Sequence, residues 1–138
     1  MSAINHLSLA TALSILLFVP TGPASASPPD ISGTYTCTGS DPYSTPNEFS
    51  ESLIIKKSGD TYKIQAIPTG DTFPYFLGTA IFTKGVDNVF ADVYWNVNDA
   101  TGFGSELFTI KSDGSLDATF IGNTRNKSGT ETCVKAKS

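Results

Sequence analysis

Gly33-Thr34-Tyr35-Thr36-Cys37 returns almost letter for letter as Gly129-Thr130-Glu131-Thr132-Cys133, and these two stretches carry the only cysteines of the chain. The cysteines lie 96 residues apart, and the sequence between them reads as short strands and turns. Two such ends, tied together, would force the first and last strands of a sheet to become neighbours. The residues that follow the two copies differ, so the echo reads as a seam between two strands and not as an internal repeat. Tyr35 and Glu131 are the residues expected to face each other across it.

No stretch shows helical periodicity over three turns. Strands are expected at 32–38, 49–57, 61–67 and 77–83, in a fifth run beginning at 89, and at 103–111, 115–121 and 129–135. Tyr62, Ile64 and Ala66 alternate with Lys63 and Gln65, the period-two pattern of a half-buried strand. The fifth strand has Val89, Ala91, Val93, Trp95 and Val97 on one face and Asp92, Asn96 and two aromatics on the other. Ser112-Asp113-Gly114 is a hairpin signal, and residues 98–102 read as a loop.

Eight strands on short connections favour antiparallel neighbours in simple order. An open sheet of that size would leave two edges that invite pairing with other chains, and closure into a barrel removes them. The expected fold is therefore all-β, an eight-stranded antiparallel up-and-down barrel with a Cys37–Cys133 bridge across its seam. The alternative is a two-sheet β-sandwich. Strands near seven residues long, with Lys63, Gln65 and Asp92 read as exterior, argue against an outer-membrane barrel.

Residues 1–26 read as a signal peptide. An apolar run at 7–19 precedes Pro20, Gly22 and Pro23, and Ala24-Ser25-Ala26 has the small-x-small pattern of a cleavage site. The run is too short to cross about 30 Å of hydrocarbon. Its departure from the usual pattern is an n-region without Lys or Arg. Cleavage before Ser27 would leave 27–138 as a single domain, secreted or periplasmic and monomeric, with no membrane span. In that compartment the two cysteines are expected to pair, the other reading being two unpaired thiols.

The net charge of −4 belongs wholly to that domain, which makes nucleic acid and anionic membrane poor partners. His6 is the only histidine, so beyond the leader no imidazole is present for a triad, a His-ligated metal or a near-neutral base. No cofactor and no metal site is expected.

The stretches Gly33-Thr-Tyr35-Thr-Cys37-Thr-Gly39-Ser-Asp41-Pro42 and Leu53-Ile-Ile55-Lys-Lys57-Ser-Gly59-Asp60-Thr-Tyr62 resemble the openings of a family of small secreted bacterial proteins, mostly uncharacterised. Asp113-Gly114-Ser-Leu116 and Gly129-Thr-Glu131 fit the same family's later motifs. The resemblance covers nearly all of 27–138 and implies an eight-stranded barrel. Some relatives are labelled fibronectin-binding, which implies contact with a host protein. Where relatives carry Trp in the third strand, this chain has Ala66 or Gln65. Gly-x-Tyr is also similar to the Gly-x-Trp opening of lipocalins and avidins, which implies a ligand pocket.

Candidate ligand-contacting residues are Phe73, Tyr75 and Phe76, in the apolar-flavoured loop 68–76, together with Trp95. These aromatics would line a cavity mouth or form a contact patch, or the prolines would fold the loop down as a plug. Trp95 reads first as a core filler and second as a stacking platform. Glu106 and Glu131 fall on inward faces and would suit acid–base work in a dry interior; the plainer reading has Glu131 accepting from Tyr35 and Glu106 near a solvated mouth. Asp41, Asp71, Asp87 and Asp99 are scattered singly in loops without calcium-loop spacing. Asn126-Lys127-Ser128 is a glycosylation sequon.

Three functions follow in order of preference. The first is a non-enzymatic binding module for a small apolar molecule or an extracellular protein. The second is an envelope or surface contact protein, and the third a carboxylate-dependent hydrolase using Glu106 and Glu131.

Overall fold

A computed structural model describes residues 27–137. The signal-peptide reading of 1–26 lies outside the described residues. Eight strands run β1 (Gly33–Ser40), β2 (Glu48–Ser58), β3 (Thr61–Pro68), β4 (Phe76–Phe82), β5 (Val89–Asn96), β6 (Asp99–Ile110), β7 (Leu116–Gly122) and β8 (Gly129–Lys135). Each pairs antiparallel with its neighbour in sequence, and β1 pairs with β8, so the sheet closes as a barrel in the order β1 to β8. The barrel, and not the sandwich, is the fold of this chain.

Closure is locked at the seam. Cys37 and Cys133 are direct partners in the β1–β8 register and are joined by a disulfide, with both residues fully buried. Antiparallel pairing about that point places Tyr35 opposite Lys135 and Glu131 opposite Gly39. The expected Tyr35–Glu131 facing pair is therefore wrong. Two residues before one cysteine must meet two residues after the other, whereas the sequence echo runs in the same direction in both copies. The Tyr35 hydroxyl donates instead to the Ile31 carbonyl at 2.9 Å. This bond helps fold the lead-in under the barrel, with Ile31 buried.

Two strands are longer than expected. β2 has 11 residues and β6 has 12; β6 takes in residues 99–102, read as loop, with Asp99 paired to Asn96. Only Val97 and Asn98 separate β5 from β6, and a register shift falls at Trp95/Asn96. The Asn96 side chain accepts from the Asn98 N–H at 2.8 Å within this turn.

The interior divides into two halves. At the end of the tight hairpins, Tyr35, Ile55, Tyr62, Ala80, Phe90, Phe108 and Leu116 form a dry plug. Phe90 and Phe108 stack with centroids 4.5 Å apart. The two are direct partners across β5–β6, and neighbouring positions include small residues, with Phe108 facing Ala118 and Tyr62 facing Ala80. At the other end this filling stops.

The orientation of β5 is the reverse of an apolar-in reading. Phe90 and Asp92 are buried, while Val93 and Trp95 point outward, Trp95 being 41% exposed. Asp92 is thus interior and does not belong with Lys63 and Gln65 on the outside. Trp95 is neither core filler nor interior platform. It pairs with Phe103 on the outer surface, beside Val93, Leu107 and Ile81, all exposed.

Candidate functional site

The unfilled end holds a cavity of about 510 Å³, lined from β2 to β8 and by the loops that follow β1, β3 and β7. Its walls are Phe49, Leu53, Ile64, Phe76, Tyr94 and Phe120, and its polar lining is dominated by carboxyls. Three of the rings are seated on glycines directly across the strand: Phe49 on Gly39, Tyr94 on Gly104 and Phe120 on Gly129. A Cβ at any of these glycines would collide with the ring. The rings therefore lie back against the wall and leave the centre of the barrel open.

Four of the lining carboxyls, one from each of four strands, are set deepest in this space. Alternation along Phe49, Glu51, Leu53 and Ile55 turns Glu51 inward on β2. Phe90, Asp92 and Tyr94 do the same for Asp92 on β5, Glu106 precedes the buried Phe108 by two on β6, and Glu131 precedes Cys133 by two on β8. Asp92 and Glu106 are direct partners across β5–β6. Glu131 is close enough to both Glu51 and Glu106 for the three glutamyl groups to shift one another, so they form a cluster. Buried carboxylates this close repel one another, which favours protonated members of the cluster.

Burial is the principal cause of the resulting pKa values, because a charged carboxylate loses its hydration there. It raises Asp92 to about 7, with only the Glu106 backbone N–H opposing. It also raises Glu51 to about 7, against the hydrogen bond from Glu131. Glu131 reaches about 8 through burial and the charge of Glu51. Glu106 is raised well above the usual range by burial and then by the charges of Glu131, Asp92 and Glu51. The Tyr94 hydroxyl is pushed up to about 12 by burial and by Glu106. The shifts of Glu51, Glu106 and Glu131 depend on one another.

Two oxygens in this set, Asp92 Oδ1 and Glu106 Oε1, are buried without a hydrogen-bond partner. Asp92 retains only 3% of its exposure, and its other oxygen occupies the room left by the missing side chain of Gly78, where a Cβ would lie 2.5 Å from Oδ2. Glu131 Oε1 lies 3.3 Å from Cys133 Sγ. A disulfide sulfur carries no proton, so it donates nothing to that oxygen. Cys37, Glu131 and Cys133 bring potential ligand atoms within 4.8 Å of one another, but with both sulfurs in the disulfide the group offers a metal only one carboxylate.

The mouth is clasped by an ion pair that joins the loops after β1 and β7. Arg125, the only arginine of the chain, reaches Asp41 with Nη1 at 2.6 and 2.8 Å from the two carboxylate oxygens. The guanidinium also lies 4.9 Å from the Tyr43 ring centroid. Burial alone would raise the Asp41 carboxyl, but Arg125, Tyr43 N–H and Ser44 hold it below its ordinary value. Asp41 is thus a buried anchor and not merely loop polarity. Asn126 is exposed, and its side-chain oxygen accepts from the Tyr43 hydroxyl at 2.5 Å.

Of the four aromatics singled out in the sequence, the cavity uses two. Tyr75 and Phe76 line it, their rings 5.1 Å apart edge to face, and Phe76 meets Tyr94 at 5.3 Å. Phe73 sits at the loop tip, 79% exposed, and Trp95 is on the outside. Loop 68–76 forms part of the rim and does not plug the barrel. Glu106 and Glu131 do come together inside, away from the solvated mouth. Glu51 was missed, although its place two residues from Phe49 and Leu53 carried the signal. No protein-family model matches the chain, and no curated protein matches its sequence.

Proposed function

We propose that this protein is a secreted or periplasmic binding module that takes a small molecule into the barrel through the end carrying Tyr75, Phe76 and Arg125. The observation that carries this reading is the open half of the interior, about 510 Å³, in a barrel whose other half is packed. A pocket of a few hundred cubic ångströms with apolar walls and a few convergent polar groups is the usual form of a small-molecule site. The disulfide favours an oxidising compartment, in keeping with the resemblance to secreted bacterial barrels.

Binding is preferred over hydrolysis because Glu106 and Glu131 are two members of a cluster of buried carboxyls that raise one another's pKa values, with no separate group set apart as a lone acid or base. The contact-protein reading draws on a different observation, the exposed outer band of Ile81, Val93, Trp95, Phe103 and Leu107.

The test is entry of N-phenyl-1-naphthylamine, an uncharged dye that fluoresces in apolar surroundings. Saturable enhancement is expected, abolished by Thr101→Trp at the rim and by Ala66→Phe in the wall, and unchanged by Trp95→Ser outside. Enhancement that survives both cavity variants and vanishes with Trp95→Ser would move the function to the outer band.

A further inference from the structure

Taking the cavity as a ligand site, as proposed above, the chemistry of its lining narrows the class of ligand. Of the strands around the cavity, β3, β4 and β7 contribute no charged side chain to its lining. Every charged side chain that the strands contribute to the lining is acidic: Glu51, Asp92, Asp99, Glu106 and Glu131. The one cation of the lining, Arg125, sits at the rim and is already held by both oxygens of Asp41. Among the described residues nothing positive reaches the interior carboxyls.

Such an arrangement is costly as it stands. A buried carboxyl oxygen without a partner forfeits its hydration and gains nothing in return, and here there are two, Asp92 Oδ1 and Glu106 Oε1, on directly paired residues. Well-packed interiors avoid orphaned acceptors of this kind. A pair of them lining a cavity is an acceptor site waiting for a donor. The walls above are aromatic faces, Phe76, Tyr94 and Phe120, which attract a cation and repel an anion.

We propose that the cavity selects an organic cation, an ammonium head on an apolar body, with the head at Asp92 and Glu106 and the body against Phe76, Tyr94 and Phe120. An anionic ligand would meet only acidic groups and no free cation among the described lining residues. A neutral apolar one would leave both orphaned oxygens unpaired. A bare divalent ion would satisfy the oxygens but leave the aromatic upper cavity empty.

The inference carries a proton balance. As the ammonium settles, N⁺–H···O⁻ bonds form to a carboxylate, the O–H bond of a protonated carboxyl in the cluster breaks, and its proton leaves to the buffer. Near neutrality, where Glu51 and Asp92 are partly protonated, amine binding therefore releases protons and tightens as pH rises. Tyr94 stays protonated throughout this range, since its hydroxyl titrates at about 12.

The experiment compares 2-phenylethylamine with its uncharged isostere 2-phenylethanol by calorimetry, in two buffers of different ionisation enthalpy. At about pH 8 the amine should bind at least about tenfold more tightly, and the margin should shrink by about pH 5.5. Heats for the amine alone should depend on buffer, reporting proton release. Asp92→Asn should remove most of the margin, weakening the amine far more than the alcohol. Should Asp92→Asn fail to fold, Glu106→Gln carries the same expectation. Equal affinity for amine and alcohol, or binding of calcium or zinc alone with no amine preference, overturns the proposal while dye entry leaves the cavity reading standing. Failure of dye, amine and alcohol alike overturns both.

Discussion

Raising the pH from about 5.5 to 8.5 should loosen this fold. The groups responsible are Glu51, Asp92, Glu106 and Glu131, whose folded pKa values all lie above the ordinary carboxylate range. Between the unfolded value and the raised one, the native state binds more protons than the unfolded chain, so stability falls as pH rises through that window. For Asp92, moved from 3.8 to about 7, linkage across the window gives about 2 kcal/mol, and water entering the cavity should reduce this to about 1. Glu51, moved from 4.5 to about 7, gives a similar figure. The four groups interact and do not simply add, so about 2–3 kcal/mol for the set is the working magnitude. In a domain of this size that is a fall in Tm of about 10 °C.

The assay is thermal unfolding followed by near-ultraviolet circular dichroism at constant ionic strength. Its interpretation is unusually clean, because no histidine occurs between Ser27 and Ser138. The acids shifted downward, such as Asp99, Asp113 and Asp117, titrate below the window. Asp92→Asn should flatten the slope and raise Tm at the alkaline end. A Tm that is constant, or that climbs, between the two pH values would refute the account of the cluster.

Replacing both Cys37 and Cys133 by Ala should cost about 4–5 kcal/mol in urea unfolding, the chain-entropy figure for a loop of 96 residues; a loss below about 1 kcal/mol would show that the seam holds by hydrogen bonds alone. Arg125→Ala strands the Asp41 carboxylate at the mouth and should cost about 2 kcal/mol at neutral pH. Because Asp41 is held below its ordinary 3.8, its stabilising contribution is present above that value and lost as pH falls through the depressed one. The deficit of the variant should therefore narrow in strong acid, and a pH-independent deficit would assign Arg125 a packing role only. Tyr75→Ala should weaken dye binding several-fold whereas Phe73→Ala should not; the reverse result would place the ligand on the loop tip.

Each failed expectation has its own physical origin. Glu106 and Glu131 were legible because each stands two residues from a residue that had to be buried, Phe108 and Cys133. Asp92 was assigned outward because the opposite face of its strand, Val89 to Trp95, is the more apolar. That rule presumes a dry interior, and this barrel is dry only in its lower half. Asp41 could not be recognised as an anchor because its partner, Arg125, is 84 residues away.

What the sequence by itself determined is the set of strands, their order and the bridge that closes them. These follow from local alternation, turn residues and the scarcity of cysteine, all readable within a few positions. Only the tertiary structure decided what the barrel contains. Glu51, Asp92, Glu106 and Glu131 come from four strands spread over the length of the chain, and neither pairing nor periodicity says how near their carboxyls will lie. Closure sets that distance. It packs one end with Phe90, Phe108 and Tyr35, seats Phe49, Tyr94 and Phe120 on glycines at the other, and leaves acid side chains in the space between.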